Sequence, residues 1–232
     1  MATRLYDVVV DAADPAAAGR FWSALLDRPL VGEDRYVELS DVGLEFVPVP
    51  EPKAVKNRVH LDLASTSPAH QAELVERARD LGASPVDIGQ GSVPWVVLAD
   101  PEGNEFCVLE PRDEYRDTGP LAAVVVDAFD PGLLAGFWAS VTGLPVEREH
   151  ADYASLRRAG GFWLEFVRVR EPKVVKNRVH LDVVPPADGD LLLEVARLEA
   201  CGAVRADIGQ GIVPWVVLAD PEGNEFCVLS PR

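Results

Sequence analysis

"KNRVHLD", residues 56–62, returns unchanged at residues 176–182. Read as a strand, it sorts its side chains by face, because successive strand residues point to opposite sides. Val59, Leu61 and Leu63 share one face; Arg58, His60 and Asp62 share the other. The apolar face calls for a helix packed against it. The opposite row of guanidinium, imidazole and carboxylate is either a wetted sheet face or the lining of a ligand cleft.

The repeat extends well beyond seven residues. "EPKAVKNRVHLD" (51–62) matches 171–182 except for Ala54 against Val174. "DIGQGSVPWVVLADPEGNEFCVL" (87–109) matches 207–229 except for Ser92 against Ile212, at the same offset of 120. Near the start of each copy the offset is 116: Asp14-Pro15 answers Asp130-Pro131, and Phe21-Trp22 answers Phe137-Trp138. The second copy therefore carries four extra residues, expected in a hairpin within "LRRAGGFWLEF" (156–166). Self-similarity on this scale means a duplicated unit. The joint, "PRDEYRDTGP" (111–120), is polar with two prolines and suits a linker. The organisation expected is a first domain over 1–112, a linker over 113–119 and a second domain over 120–232.

Each half reads as two similar units. "RLYDVVVDA" (4–12) is a strand. "DPAAAGRFWSALLD" (14–27) is a helix, with Asp14 as cap, Pro15 in the first turn and an apolar stripe at Phe21, Trp22, Leu25 and Leu26. "DRYVELS" (34–40) and "GLEFVPV" (43–49) alternate as strands. The second unit opens on "NRVHLDLA" and continues with the helix "SPAHQAELVERARDLG" (67–82), capped by Ser67 and stopped at Gly82. "SPVDI", "PWVVLAD" and "NEFCVLE" complete it, with "DPEGN" a tight turn. The fold class is α+β: four βαβββ units.

The face away from the helices carries Asp7, Glu45, His60, Glu105 and Cys107 among Val9, Val47, Trp95, Val97 and Leu109. A mixed apolar face with a few convergent titratable groups is the pattern of a small-molecule cleft. Trp95 and Trp215 are placed on it as stacking surfaces, with Arg58 and Arg178 as further substrate contacts. Trp22 and Trp138 belong to the core.

Composition narrows the partners. With 22 Lys and Arg against 38 Asp and Glu, the formal net charge is −16. Nucleic acid and anionic membranes are poor partners for such a surface. No apolar run nears the ~20 residues that span a bilayer. Asp7 and Asp11 interrupt the early apolar run, so no secretory leader is read and a cytoplasmic location is expected. Three cysteines with no CxxC argue against a disulfide framework or a zinc ribbon. There is no G-x-S-x-G, and "GQG" (89–91, 209–211) lacks the strand–loop–helix setting and Lys-Ser/Thr of a phosphate loop.

The paired strand–helix–three-strand units, the "DPEGNEF" turn and "VKNRVHLDL" opening the second unit resemble the glyoxalase/bleomycin-resistance/dioxygenase group, the vicinal oxygen chelate superfamily. The likeness is nearest to actinobacterial glyoxalase-like proteins and covers the chain twice. It implies that two units curl around a cleft, with metal ligands, typically His, Glu, His and Glu, on the first and last strands of each unit. Carried over, Glu45 and His60 are ligand types in the expected places. Asp7 stands where histidine is usual (Tyr6 if the register slips by one), and Cys107 where glutamate is usual. The second half supplies Ala123, Glu165, His180 and Cys227, so one position has no ligand. Such a mixed set suits tetrahedral Zn²⁺ better than a hard six-coordinate ion. The cofactor is then a divalent ion (Zn, Ni, Mn or Fe), or none. Glu45 and Glu165 become general bases, or else salt-bridge partners of Arg58 and Arg178. Asp62 and Asp182 are read as serving the fold by orienting Arg58 and Arg178, and Lys53 and Lys56 as solvated. The function implied is a metal-assisted lyase or isomerase acting on a small oxygen-rich metabolite. Its alternatives are a protein that sequesters an antibiotic or other natural product without chemistry, and a structural or regulatory protein with vestigial sites. Whether units pair within or between halves, and whether the chain is a monomeric pseudo-dimer or a homodimer, stay open.

Overall fold

The computed structural model describes residues 3–40 and 42–232. The first unit is β1 (Arg4–Ala12), α1 (Pro15–Leu26), β2 (Leu30–Val31), β3 (Tyr36–Glu38) and β4 (Gly43–Pro48). The second is β5 (Val59–Leu63), α2 (Pro68–Asp80), β6 (Ser84–Pro85), β7 (Val96–Ala99) and β8 (Glu105–Val108). A single 3-10 turn (Asp113–Tyr115) leads to β9 (Leu121–Ala128), α3 (Pro131–Thr142), β10 (Val146–Glu149), β11 (Tyr153–Leu156) and β12 (Trp163–Arg168). The fourth unit is β13 (Val179–Val184), α4 (Leu191–Ala200), β14 (Val204–Arg205), β15 (Val216–Ala219) and β16 (Glu225–Val228). All four units are thus βαβββ. The helices start where the caps require: Asp14 Oδ1 accepts from the Ala17 N–H, and Ser67 Oγ from the His70 N–H.

The strands form two eight-stranded mixed sheets, ordered β14-β15-β16-β13-β1-β4-β3-β2 and β10-β11-β12-β9-β5-β8-β7-β6. Each sheet joins one unit from each half of the chain. The seams are antiparallel: β1 pairs with β13, Val9 opposite His180, and β5 pairs with β9, His60 opposite Val125. The pairing left open by the sequence is therefore a swap between halves. Two crossovers, residues 49–58 and 169–178, carry the chain from one sheet to the other, and the guanidinium after each "VKN" fastens them. Arg58 donates to the carbonyls of Glu171 and Asp127, both at 2.8 Å; Arg178 donates to those of Glu51 (2.6 Å) and Asp11 (2.8 Å). Neither arginine pairs with Glu45, Glu165, Asp62 or Asp182.

Helix-facing side chains of both sheets merge into one apolar core. Trp22 is 2% exposed, its ring edge-on to Phe106 at 5.0 Å between centroids and its Nε1 donating to Asp100 Oδ2 at 3.1 Å. Asp100 opens the "DPEGN" turn and also accepts from the Glu102 and Asn104 N–H groups. Trp138, Phe226 and Asp220 repeat the arrangement. The first helix of each half is thereby tied to the second unit of the same half, while the sheets tie the halves to each other. The four extra residues fall mainly earlier than expected. Leu30 and its partner Val37 are seven residues apart and Val146 and Leu156 ten, so three lengthen the β10–β11 hairpin; only one enters the following turn. Among the described residues, no helix is long and apolar enough to cross a membrane.

Candidate functional site

Each sheet turns its second face onto a smaller apolar cluster. One holds Val97, Cys107, Leu109, Tyr115, Ala123, Val125 and Trp163, with Trp95 packed against it. The other holds Val184, Val217, Cys227 and Leu229, with Tyr6 and Trp215 against it. The titratable groups stand on these faces, arranged by strand register. In one cleft Glu165, Val125 and His60 lie abreast on β12, β9 and β5; in the other Glu45, Val9 and His180 lie abreast on β4, β1 and β13. The residues aligned along the first half are therefore divided. Asp7 and Glu45 share a cleft with His180 and Cys227, whereas His60 and Cys107 face Ala123 and Glu165.

The tightest cluster in each cleft includes a residue read from sequence as structural. β5 and β8 run parallel with Asp62 beside Cys107, and β13 and β16 set Asp182 beside Cys227. Ligand atoms of His60, Asp62 and Cys107 lie within 4.8 Å of one another, as do those of His180, Asp182 and Cys227. His Nε2 and Asp Oδ1 are 3.5 Å apart in both. That is too long for a good hydrogen bond, and neither Asp Oδ1 has a hydrogen-bond partner among the described residues although both are buried. Burial, with Lys56 and Lys176 nearby, pulls the two imidazoles down to about 3, so both are neutral. Burial pushes Asp62 and Asp182 up to about 7 despite the adjacent thiols, and pushes both thiols up as well. The H-x-D alternation was visible in the sequence. The resemblance implies the cysteine as a ligand beside the histidine; that the aspartate joins them depends on a parallel pairing of β5 with β8, which the alternation does not show.

Glu165 is raised mainly by burial, with Arg148 opposing; Glu45 is raised by burial and then by Asp7. The linker enters the Glu165–His60 cleft: Tyr115 Oη donates to Glu165 Oε1 at 3.4 Å. The clefts differ at one corner. Asp7 Oδ1 accepts from Tyr36 Oη (2.8 Å) and the Gly43 N–H (3.1 Å). At the matching positions stand Ala123, Ser155 and Trp163. The Trp163 indole donates to the Glu114 carbonyl at 3.1 Å, and its ring meets the Arg148 and Arg157 guanidiniums at 4.1 and 4.9 Å. Trp95 and Trp215 are half-buried at the cleft walls, Trp95 with Arg112 5.7 Å over its ring. Arg58 and Arg178 lie at the crossovers. Glu105 is not free to line a cleft: it binds Lys53 at 2.6 Å and the Asn57 N–H at 3.1 Å. Lys53 and Lys56 are not simply solvated, since Lys56 pairs with Asp127 at 2.7 Å.

The sequence profile of a family described as "Glyoxalase-like domain" matches residues 7–109 and again 123–229. No curated protein matches the chain. Among solved structures, glyoxalase I from Zea mays is similar over 99% of this chain and 92% of its own, at 15% identity and a TM-score of 0.64. A putative dioxygenase from Bacillus subtilis subsp. subtilis str. 168 is similar over 100% of this chain and 86% of its own, at 12% identity and a TM-score of 0.66. At such identities the likeness is one of fold.

Proposed function

Because this chain belongs to the glyoxalase-like domain family, we propose that each concave face binds a small oxygen-rich metabolite beside a His–Asp–Cys corner suited to a divalent ion, with the facing glutamate moving a proton in a lyase or isomerase reaction. The observation that carries this reading is the unpartnered Asp Oδ1 held 3.5 Å from a neutral imidazole, in both clefts. A tetrahedral centre with bonds of about 2.0–2.1 Å spaces its nitrogen and oxygen ligands roughly 3.3–3.4 Å apart. The observed 3.5 Å is close to that spacing, which supports reading the two atoms as ligands. Imidazole, carboxylate and thiolate together suit zinc or a similar borderline ion. When bound, such an ion polarises substrate oxygens and deprotonates the thiol.

The chain's own groups supply the rest. His60 and His180, held neutral, keep a lone pair free. Glu165 and Glu45 stand across one strand from the imidazoles, and their raised affinity for protons suits a base that must also return the proton. Trp95 and Trp215 wall the clefts with apolar surface and limit water. A second reading, sequestration without chemistry, draws on these same half-exposed indoles.

Metal analysis of protein purified without chelator, together with tryptophan-fluorescence titration of a metabolite library, tests the pair. Two divalent ions per chain, falling to one in Asp182→Ala, with turnover lost in the Glu45→Gln, Glu165→Gln double variant while the ions remain, is the expected outcome. Ligand binding with no retained or restorable ion, unaffected by the glutamate substitutions, would replace the enzyme reading with the sequestering one.

A further inference from the structure

The two crossovers line a cavity of about 720 Å³, open to one side. That volume lies within the ~300–1,000 Å³ range of small-molecule sites. None of the cleft histidines, cysteines, glutamates or tryptophans lines it. Its walls come almost wholly from 49–58 and 169–178, the "EPK-x-VKNR" copies that are nearly identical in the two halves. Val55, Val174 and Val175 lie on these walls and are 45%, 78% and 45% exposed, so the cavity offers apolar surface to whatever enters. Each crossover contributes one lysine to the lining, Lys56 and Lys176. Lys56 Nζ donates to Asp127 Oδ2 (2.7 Å) and to the Asn57 carbonyl (3.1 Å); Lys176 Nζ donates to Asp11 Oδ2 (2.5 Å) and to the Asn177 carbonyl (3.1 Å). An ammonium has three protons. One on each lysine is left without an acceptor among the described residues.

We infer that this cavity is a third small-molecule site, for an uncharged, mainly apolar organic molecule carrying carbonyl or hydroxyl oxygens at its two ends. The apolar middle meets the valines, and each terminal oxygen accepts from one lysine. Charge on the ligand is disfavoured, because Asp127 and Asp11 already neutralise the two ammoniums and the chain as a whole carries −16. The inference uses none of the cleft chemistry and stands or falls separately from it.

Isothermal titration of the whole protein with bisphenol A tests it, that compound having an apolar centre and a hydroxyl at each end. One molecule is expected to bind per chain. 4-Cumylphenol, which lacks one hydroxyl, is expected to bind about tenfold more weakly, as loss of one hydrogen bond to a charged donor implies. 4,4′-Biphenyldicarboxylate is expected to bind more weakly than bisphenol A. Val175→Trp, which fills the cavity from a half-exposed position, should abolish binding with the melting temperature unchanged; Lys56→Gln should weaken it about tenfold. The inference is overturned if bisphenol A does not bind, if Val175→Trp leaves its binding intact, or if the dicarboxylate binds more tightly. It is equally overturned if the His60→Ala, His180→Ala double variant, and not Val175→Trp, removes binding, since the probe would then occupy the clefts.

Discussion

Gly43 sits where β4 passes Asp7 of β1. A Cβ there would stand 1.9 Å from Tyr36 Oη and 2.3 Å from Asp7 Oδ1. Gly43→Ala is therefore expected to destabilise the protein by about 1–3 kcal/mol, read as a lower urea midpoint with unchanged slope. A Tyr36→Phe background should rescue it little, because the ring Cζ at 2.0 Å and the Asp7 carboxylate both remain. A second expectation concerns protonation of Glu165. Its folded pKa is raised by burial, so it is lost as an ionised base as pH falls through a value above that of an ordinary glutamate, about 4.3. The Tyr115 hydroxyl opposes the shift, so Tyr115→Phe should move the titration to still higher pH, followed by the ¹³C shift of the Glu165 carboxyl. At this scale the sequence was legible wherever a strand alternates. His60, Glu45, Cys107 and Trp95 were all placed on the correct face by counting. Asp62 reads from the sequence as orienting Arg58, which instead donates to the Glu171 and Asp127 carbonyls; its neighbour is Cys107 on a parallel strand, and a period-two pattern says nothing about which strand lies alongside.

Among the elements, the helix-to-turn tether is the joint with the most specific chemistry. Trp22→Phe keeps a ring against Phe106 but removes the Nε1 donor from buried Asp100, at a cost of about 1–3 kcal/mol in equilibrium unfolding. Asp100→Asn should cost at least as much, since Oδ1 serves the Glu102 and Asn104 N–H groups while Oδ2 serves Trp22, and an amide NH2 in either place would face a donor. Helices were readable from caps and stripes, and Asp14-Pro15 and Ser67-Pro68 mark true starts. Short edge strands were not. "SPVDI" was expected as a strand, but only Ser84–Pro85 pairs; beyond Val86 the backbone leaves the ladder, the Ile88 N–H donating to Gln90 Oε1 and the Gly89 N–H to Asp87 Oδ1. β2 is two residues long, below what periodicity can register.

The whole molecule is held by exchange. Each half gives one unit to each sheet, so neither half contains a completed one. Residues 1–112 alone would leave β1 and β5 each with an unpaired edge, and such edges seek partners. Because "KNRVHLD" is the same in both halves, β5 of a second copy can take the place of β13. The isolated half is therefore expected to form a dimer by size-exclusion with light scattering; a stable folded monomer would contradict the swapped arrangement. This level was not legible in the sequence, since identical strands pair equally well with either partner and only the crossovers, fastened by Arg58 and Arg178, decide. The swap also sets the chemistry, because it brings each glutamate to the imidazole of the other half. The measurement that reaches the central claim most directly is a Co²⁺ titration of the metal-free protein by absorbance. A thiolate-to-cobalt charge-transfer band saturating at two equivalents per chain, reduced to one in Cys107→Ser and absent in the Cys107→Ser, Cys227→Ser double variant, is expected. No band, or one that persists in the double variant through exposed Cys201, would contradict the His–Asp–Cys corners as metal sites.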